Sequence, residues 1–197
     1  MNASLLFDHD VYTIRRKVLR LFGGAFHVYA ADGQLLLYCT MKAFKLKEDL
    51  RIYTDESKST EILRIAARKI LDFSSAYDVY DSALNEKVGL LRRKGFKSML
   101  RDEWEILDAR EKPIGLIQED STALALLRRF VEFASTLLPQ KYHVTVGTQI
   151  VATMKQNFNP FVFRLTVDLT PDTQSALDPR LAVAAGMLLA AVEGRQG

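Results

Sequence analysis

Apolar and polar residues alternate in four pairs of short segments between Phe26 and Ile117. The pairs are residues 26–29 with 35–39, 50–53 with 62–65, 77–81 with 88–91, and 104–108 with 114–117. A polar turn separates the two segments of each pair, and the first turn contains Asp32-Gly33, which is typical of a tight hairpin. The first segments start 24, 27 and 27 residues apart. The pattern therefore predicts an internal repeat of four β-hairpins.

Four further segments flank these hairpins. Residues 11–21 combine β-branched with long basic side chains, which fits a strand or a short helix, and we favour a strand. Residues 142–146, 149–155 and 161–169 predict three more strands. The total is twelve antiparallel strands. A closed barrel of that size would have no exposed sheet edge, and its interior would be wide enough for a helix.

The segment at residues 178–192 would be apolar on every side of a helix. Its unbroken apolar run, residues 181–192, contains twelve residues, whereas a helix needs roughly 20 to cross a bilayer. Asp178 fits the N-cap position and Pro179 the first helical position. Because a helix without a polar face must be buried, we expect residues 178–192 to lie at the centre of the barrel.

A second helical pattern lies at residues 121–138, where apolar residues form one stripe. Ser121 can cap this amphipathic helix and Pro139 ends it. We expect an insertion between the ninth and tenth strands that packs on its own barrel. The alternatives are a helix that lies on a membrane surface, a contact with a second copy and a contact with a protein partner. The fold class is thus mainly β (α+β), in a single domain spanning residues 1–197.

Composition narrows the class of protein. The 197 residues are 48% hydrophobic and 26% charged, as in ordinary globular proteins. The formal charge of +3 gives no strong signal for nucleic acid. Cys39 is the single cysteine, so a reducing, cytoplasmic environment is expected. Neither a signal peptide nor a transmembrane span is predicted.

The order of these segments resembles the tubby C-terminal-like superfamily, especially its LURP-one-related and phospholipid-scramblase branches. The resemblance is carried by residues 26–33, 104–115 and 147–155 and by the apolar C-terminal segment. It implies a twelve-stranded barrel around a C-terminal helix. It also implies a role at membranes, because tubby domains bind phosphoinositides and scramblases are named for moving lipids. The acidic scramblase calcium segment is not matched, since residues 170–176 offer only Asp172.

Basic residues form one candidate site for an anionic headgroup or another polyanion, in which a second, smaller cluster of basic residues could take part. The larger cluster contains no acidic residue and consists of Lys87, Arg92, Arg93, Lys94, Lys97 and Arg101. The smaller cluster is Arg15, Arg16 and Lys17. Arginine can bind a phosphate through two parallel hydrogen bonds, and lysine adds a point charge. The alternative is a solvated face, which is the commoner origin of a run of charges.

Patterns of catalytic and metal-binding residues are missing. His9, His27 and His143 do not have the spacing of metal ligands, and no cofactor is predicted. Cys39 lies in an apolar strand, where it is expected to be a small core residue, and Trp104 is expected to anchor the core. The sequence has no nucleophile elbow, phosphate-binding glycine loop or dinucleotide fingerprint.

These observations favour a non-enzymatic binding or scaffold module that engages anionic phospholipid or a protein at a membrane surface. We expect it to be cytoplasmic and peripheral at the inner membrane surface. An enzyme, or a protein that scrambles or transfers lipids, is the alternative from another class, and it would need an open cavity. A protein-interaction module that uses residues 121–138 and has no lipid role is the third interpretation.

Overall fold

A computed structural model describes residues 3–17, 24–41, 49–68, 75–94, 103–120, 140–157, 159 and 162–193. A short 3-10 helix, Ala3–Phe7, precedes twelve strands and one α-helix. The strands are β1 (Val11–Lys17), β2 (Gly24–Tyr29), β3 (Leu35–Met41), β4 (Leu50–Tyr53), β5 (Glu61–Ala67), β6 (Ala76–Asp81), β7 (Glu86–Arg93), β8 (Glu103–Asp108), β9 (Pro113–Glu119), β10 (Lys141–Val146), β11 (Gln149–Asn157) and β12 (Val162–Asp168). The helix is α1 (Pro179–Glu193). The predicted insertion helix at residues 121–138 lies outside the described residues.

The twelve strands form a closed antiparallel barrel in which each strand pairs with its neighbours in sequence and β12 pairs with β1. The predicted mainly-β fold and closed twelve-stranded barrel are confirmed. Each of the four predicted hairpins is present, and Gly33 in the first turn has the positive φ of 88° that favours glycine. Closure gives every strand two neighbours, so no strand lies at an open sheet edge.

Antiparallel order gives the barrel two different ends. At the turn end lie the connections 30–34, 54–60, 82–85, 109–112 and 147–148, together with residues 3–10 and 169–178. At the opposite end, the far end, lie the last residues of β1, β3, β5, β7, β9 and β11. Helix α1 begins at the turn end, because it follows the segment that leaves β12 there.

Alternate residues of the strands face the interior and form the core. Tyr12, Ile14, Phe26, Ile65 and Val79 are each fully buried. Cys39 is also fully buried, and burial raises the pKa of its thiol to about 12, as expected of an inert core residue. Trp104 is 2% exposed and packs beside Tyr77, so the prediction of a core anchor is confirmed.

Helix α1 starts where the sequence predicts. The Asp178 carboxylate accepts a hydrogen bond from the backbone N–H of Arg180 at 2.9 Å, in the manner of an N-cap. Residues 181–191 are all buried. The helix contacts β12, β7 and β1. In the part of the chain that the structure describes, no helix has both the length and the apolar character needed to cross a membrane.

Candidate functional site

Except for Lys87 near the start of β7, the described residues of the two predicted basic clusters lie at the same end of the barrel. Arg15, Arg16 and Lys17 are the last three residues of β1, while Arg92 and Arg93 end β7. Both strands end at the far end, although β7 is six positions away from β1 around the barrel. Lys94 follows β7 directly, whereas Lys97 and Arg101 lie outside the described residues. The clusters therefore share an end of the molecule but occupy opposite sides of it.

Carboxylates on the neighbouring strand bind the β7 cations. Arg92 donates two hydrogen bonds to Glu105, at 2.8 and 2.6 Å. Lys94 lies 2.6 Å from Glu103 and 3.4 Å from Glu105. The hydrogen bond with Glu103 raises the pKa of Lys94 and lowers the pKa of Glu103. The larger basic cluster, which contains no acidic residue in the sequence, is therefore partly neutralised by the carboxylates of β8.

Lys87, the first residue of the larger cluster, also has carboxylate partners. Its ammonium group lies 2.8 Å from both Asp78 and Glu111. Arg93 likewise makes contacts of its own. The cations of β7 therefore already contact other residues of the protein before an anion binds.

Arg15 and Arg16 point to opposite faces of β1. Arg16 lies on the same face of β1 as the buried Tyr12 and Ile14. Its guanidinium lies 5.9 Å from the centre of the Phe26 ring, and burial lowers its pKa. Arg15 faces outward, with its guanidinium 4.9 Å from the centre of the Tyr29 ring. Of these two neighbours, Arg15 is the one placed to meet a ligand on the outer surface. The side chain of Lys17 lies outside the described part of the structure.

A second cation lies directly opposite Arg15 on the adjacent strand. Arg15 and Arg164 are register partners across β1 and β12, and Lys141 and Lys155 are register partners across β10 and β11. Lys155 is also the diagonal neighbour of Arg164, because Arg164 pairs with Asn157 two residues further along β11. We call these four residues, Arg15, Arg164, Lys155 and Lys141, the β1–β12 basic face.

Carboxylates do not neutralise this face within the described residues. None of its four side chains has a hydrogen bond or ion pair there, and the Nε atoms of Arg15 and Arg164 are buried without a partner. Asp120, at the edge beside Lys141, instead lies 3.3 Å from His143. Sequence analysis missed Arg164, Lys155 and Lys141 because they are isolated in the chain. Arg164 and Lys155 lie in adjacent predicted strands, which was the available signal for these two, whereas Lys141 precedes the predicted strand 142–146.

A cleft of about 1140 Å³ opens at the turn end, beside the start of α1. Arg180 crosses part of it, donating hydrogen bonds to Asp178 at 2.7 Å and Asp81 at 2.8 Å. The bonds with Asp178, and then with Asp81, raise the pKa of Arg180 despite the opposing effect of burial. Among the described residues, no group of three or more histidine, cysteine, aspartate or glutamate side chains is placed to hold a metal ion.

Comparison with known proteins gives one family. No curated protein matches the chain. The model of the LURP-one-related family matches residues 35–190, which run from the start of β3 to within α1. The match therefore covers most of the barrel as well as the C-terminal helix. The chain belongs to the LURP-one-related family of the tubby-like superfamily.

Proposed function

We propose that this protein is a non-enzymatic binding module that holds an anionic, phosphate-bearing lipid headgroup against the β1–β12 basic face. Membership of the LURP-one-related family supports a lipid-binding or scaffold role. The observation that carries the proposal is the pairing of like charges in register, Arg15 with Arg164 and Lys155 with Lys141. The proposed location is the cytoplasmic surface of a membrane, with the protein bound peripherally.

Like charges directly opposite one another destabilise a sheet. Protein side chains usually relieve such repulsion through a carboxylate, as Glu105 does for Arg92. On the β1–β12 basic face the described residues supply none, so a bound anion would remove the repulsion. Arginine suits this role because its planar guanidinium can donate two hydrogen bonds to one phosphate. The ring of Tyr29 supports the guanidinium of Arg15 and limits its freedom before binding.

The sequence-predicted cations take a supporting part in this proposal. Arg92, Arg93 and Lys94 lie at the same far end as Arg16 and Lys17, while Lys97 and Arg101 stay candidates from the sequence outside the described residues. Exposed ion pairs contribute only about 0–1 kcal/mol, so a phosphate-rich surface can compete for Arg92 and Lys94 at little cost. These residues would add long-range attraction, while the β1–β12 basic face would make the specific contact.

We further infer that α1 fills the barrel and leaves no room there for an acyl chain. The helix contacts β1 and β12 on one side and β7 on the other, and β1 and β7 are six positions apart in a ring of twelve strands. A helix inside the ring can reach both. A methyl group added at Gly186 would also lie 2.7 Å from atoms of Ile14 and Val167. A filled interior disfavours lipid transfer or lipid chemistry within the barrel.

Vesicle co-sedimentation tests the proposal. The purified protein is mixed with neutral phosphatidylcholine vesicles, with vesicles that contain phosphatidylserine, and with vesicles that contain a phosphoinositide, at physiological salt. We expect binding to the anionic vesicles and little to the neutral ones. Each cation at a membrane surface contributes about 1 kcal/mol, so the double variant Arg15→Gln/Arg164→Gln should bind about 30-fold more weakly.

The matched control is Arg110→Gln/Lys112→Gln. It removes the same charge from two exposed residues in the β8–β9 turn, at the opposite end of the barrel. This control should bind nearly as well as the wild type. Equal losses in both double variants would mean that only net charge matters and would overturn the assignment of the site. A large loss in Arg92→Gln/Lys94→Gln alone would move the site to β7.

The third interpretation from the sequence, a contact with a protein through residues 121–138, stays a prediction because that segment lies outside the described residues. Vesicle binding separates it from the lipid proposal. If the protein binds none of the vesicles at low or physiological salt, protein interaction becomes the better proposal for its function.

A further inference from the structure

The cleft at the turn end is made by four separate parts of the chain, one of which is Thr60 and Ile62 at the start of β5. Residues 7–10 form one wall, the β6–β7 turn with Asp81 and Leu84 forms another, and residues 169–180 between β12 and the first turn of α1 form the third. Its volume of about 1140 Å³ exceeds the space needed for a single side chain. None of its lining residues belongs to the β1–β12 basic face.

Apolar groups line the base of this cleft. Ile62, Leu169 and Leu177 are buried and Phe7 is half-buried, while Leu84 at the rim is 66% exposed. The large hydrophobic residues exposed in the described part of the chain are Leu5, Leu84 and Ile150, and all three lie at the turn end. An exposed leucine at the rim of an apolar cleft favours contact with another apolar group.

The charges around the cleft are mostly negative, but they are not equivalent. Asp81 and Asp178 bind Arg180, and the carboxylate of Asp172 accepts backbone N–H groups at 2.8 Å. Asp8 and Asp10 are exposed, and within the described residues their side chains make no hydrogen bond or ion pair. The negative charge available to a ligand is therefore on the wall that also carries Phe7.

We infer that this cleft binds a short peptide segment of a partner protein in which apolar side chains lie between basic ones. The apolar side chains would pack against Phe7 and Leu84, and the basic ones would lie near Asp8 and Asp10. The inference depends on both apolar and electrostatic complementarity. An apolar base alone would not select a cation, and carboxylates alone would not select an apolar group. The same carboxylates would repel an anionic headgroup.

Fluorescence anisotropy with a defined probe tests this inference. The probe is a fluorescein-labelled peptide with two leucines flanked on each side by two lysines. Two comparison peptides carry serines in place of the leucines, or glutamates in place of the lysines. We expect saturable binding of the probe that weakens as salt increases, with at least about fivefold weaker binding of the serine peptide and no binding of the glutamate peptide.

Variants locate the binding. Asp8→Asn/Asp10→Asn and, separately, Leu84→Ser should each weaken binding of the probe by about fivefold or more. All three side chains are exposed, so the variants should fold, and circular dichroism checks this. The matched controls are Asp49→Asn, an exposed aspartate before β4 at the far end, and Ile150→Ser, an exposed apolar residue outside the cleft. Both controls should bind the probe like the wild type.

Three results would overturn the inference. The first is the absence of saturable binding, and the second is an equal loss in the control variants. The third is self-association in sedimentation velocity that Leu84→Ser abolishes, which would show that a second copy of this chain covers the cleft. Loss of probe binding in Leu84→Ser, with a monomeric wild type, supports a peptide partner.

Discussion

Four charged residues from separate segments form one network. They are Arg68 just after β5, Asp78 in β6, Lys87 in β7 and Glu111 in the β8–β9 turn. Arg68 donates hydrogen bonds to both oxygens of Asp78, at 2.6 and 2.7 Å, and also binds Glu111. Lys87 lies 2.8 Å from the same two carboxylates. Asp78 is only 8% exposed, so an unpaired charge there would be costly. Each carboxylate therefore depends on both cations.

This network predicts acid sensitivity. Hydrogen bonds from Arg68 and then Lys87 lower the pKa of Glu111 to about 2, from 4.5. Burial raises the pKa of Asp78, but hydrogen bonds with Arg68 and Lys87 outweigh it and the net shift is downward. A carboxylate whose pKa is lower in the folded state stabilises the fold above its unfolded pKa, and that stability is lost as pH falls through the folded value. We expect the free energy of unfolding, measured with urea, to fall between pH 4.5 and about 2.

The variant Arg68→Gln tests the origin of this effect. Its free energy of unfolding should be lower at neutral pH and should depend less on pH over the same range. The reason is that Asp78 and Glu111 lose Arg68, one of the two cations they share, and keep only Lys87. Other carboxylates with lowered pKa values, such as Glu103, remain in both proteins. The difference between the two pH profiles is therefore the informative quantity, and identical profiles would contradict the assignment.

At the scale of elements, α1 combines high helix propensity with very small side chains where it meets the strands. Gly186 lies in the middle of the helix, where glycine costs about 1 kcal/mol relative to alanine. A Cβ atom there would lie 2.7 Å from Ile14 Cδ1 and Val167 Cγ2, well inside normal contact distance. The β-branched Val167 has little freedom to move away. Packing rather than propensity therefore explains the glycine.

The substitution Gly186→Ala separates these two effects. Helix propensity alone predicts stabilisation by about 1 kcal/mol, whereas overpacking costs about 1–3 kcal/mol. We expect a net loss of up to about 2 kcal/mol in urea unfolding. The control Ala184→Gly adds no volume and should lose about 1 kcal/mol or more through propensity and lost packing. A Gly186→Ala protein more stable than the wild type would show that α1 is loosely packed.

For the whole molecule, the antiparallel order of the strands separates the two proposed sites. The β1–β12 basic face lies on the outer surface near the far end, and the cleft opens at the turn end. The cations of that face and the free carboxylates Asp8 and Asp10 thus belong to different regions. At an anionic surface, such a distribution would orient the protein with its acidic end held away from that surface.

This separation predicts a ternary complex. The labelled peptide with lysines and leucines should co-sediment with phosphoinositide vesicles when the protein is present at physiological salt, beyond its own binding to the vesicles. The increment should disappear in Leu84→Ser, which keeps the membrane site, and in Arg15→Gln/Arg164→Gln, which keeps the cleft. Competition between peptide and vesicles for the wild-type protein would mean that the two sites overlap.

Much of the architecture could be read from the sequence because its signals are local. Alternation of apolar residues identified each hairpin, and the Asp178-Pro179 start identified α1. The 3-10 helix Ala3–Phe7 was missed, since a single turn has no periodicity to detect. Glu111, a member of the charged network, has a positive φ of 64° that the sequence does not indicate, because the turn contains no glycine.

The candidate sites depend on contacts between residues that are far apart in the sequence. The sequence by itself determined the strands and hairpins, the apolar helix pattern and the presence of many cations, because each follows from residues close together in the chain. Only the tertiary structure decided which cations are neutralised, since Glu105 meets Arg92 across strands and Arg164 meets Arg15 from 149 residues away. Likewise Phe7, Leu84 and Leu169 line one cleft because the barrel closes. Pairing across the sheet, not proximity in sequence, sets the charge that a ligand meets.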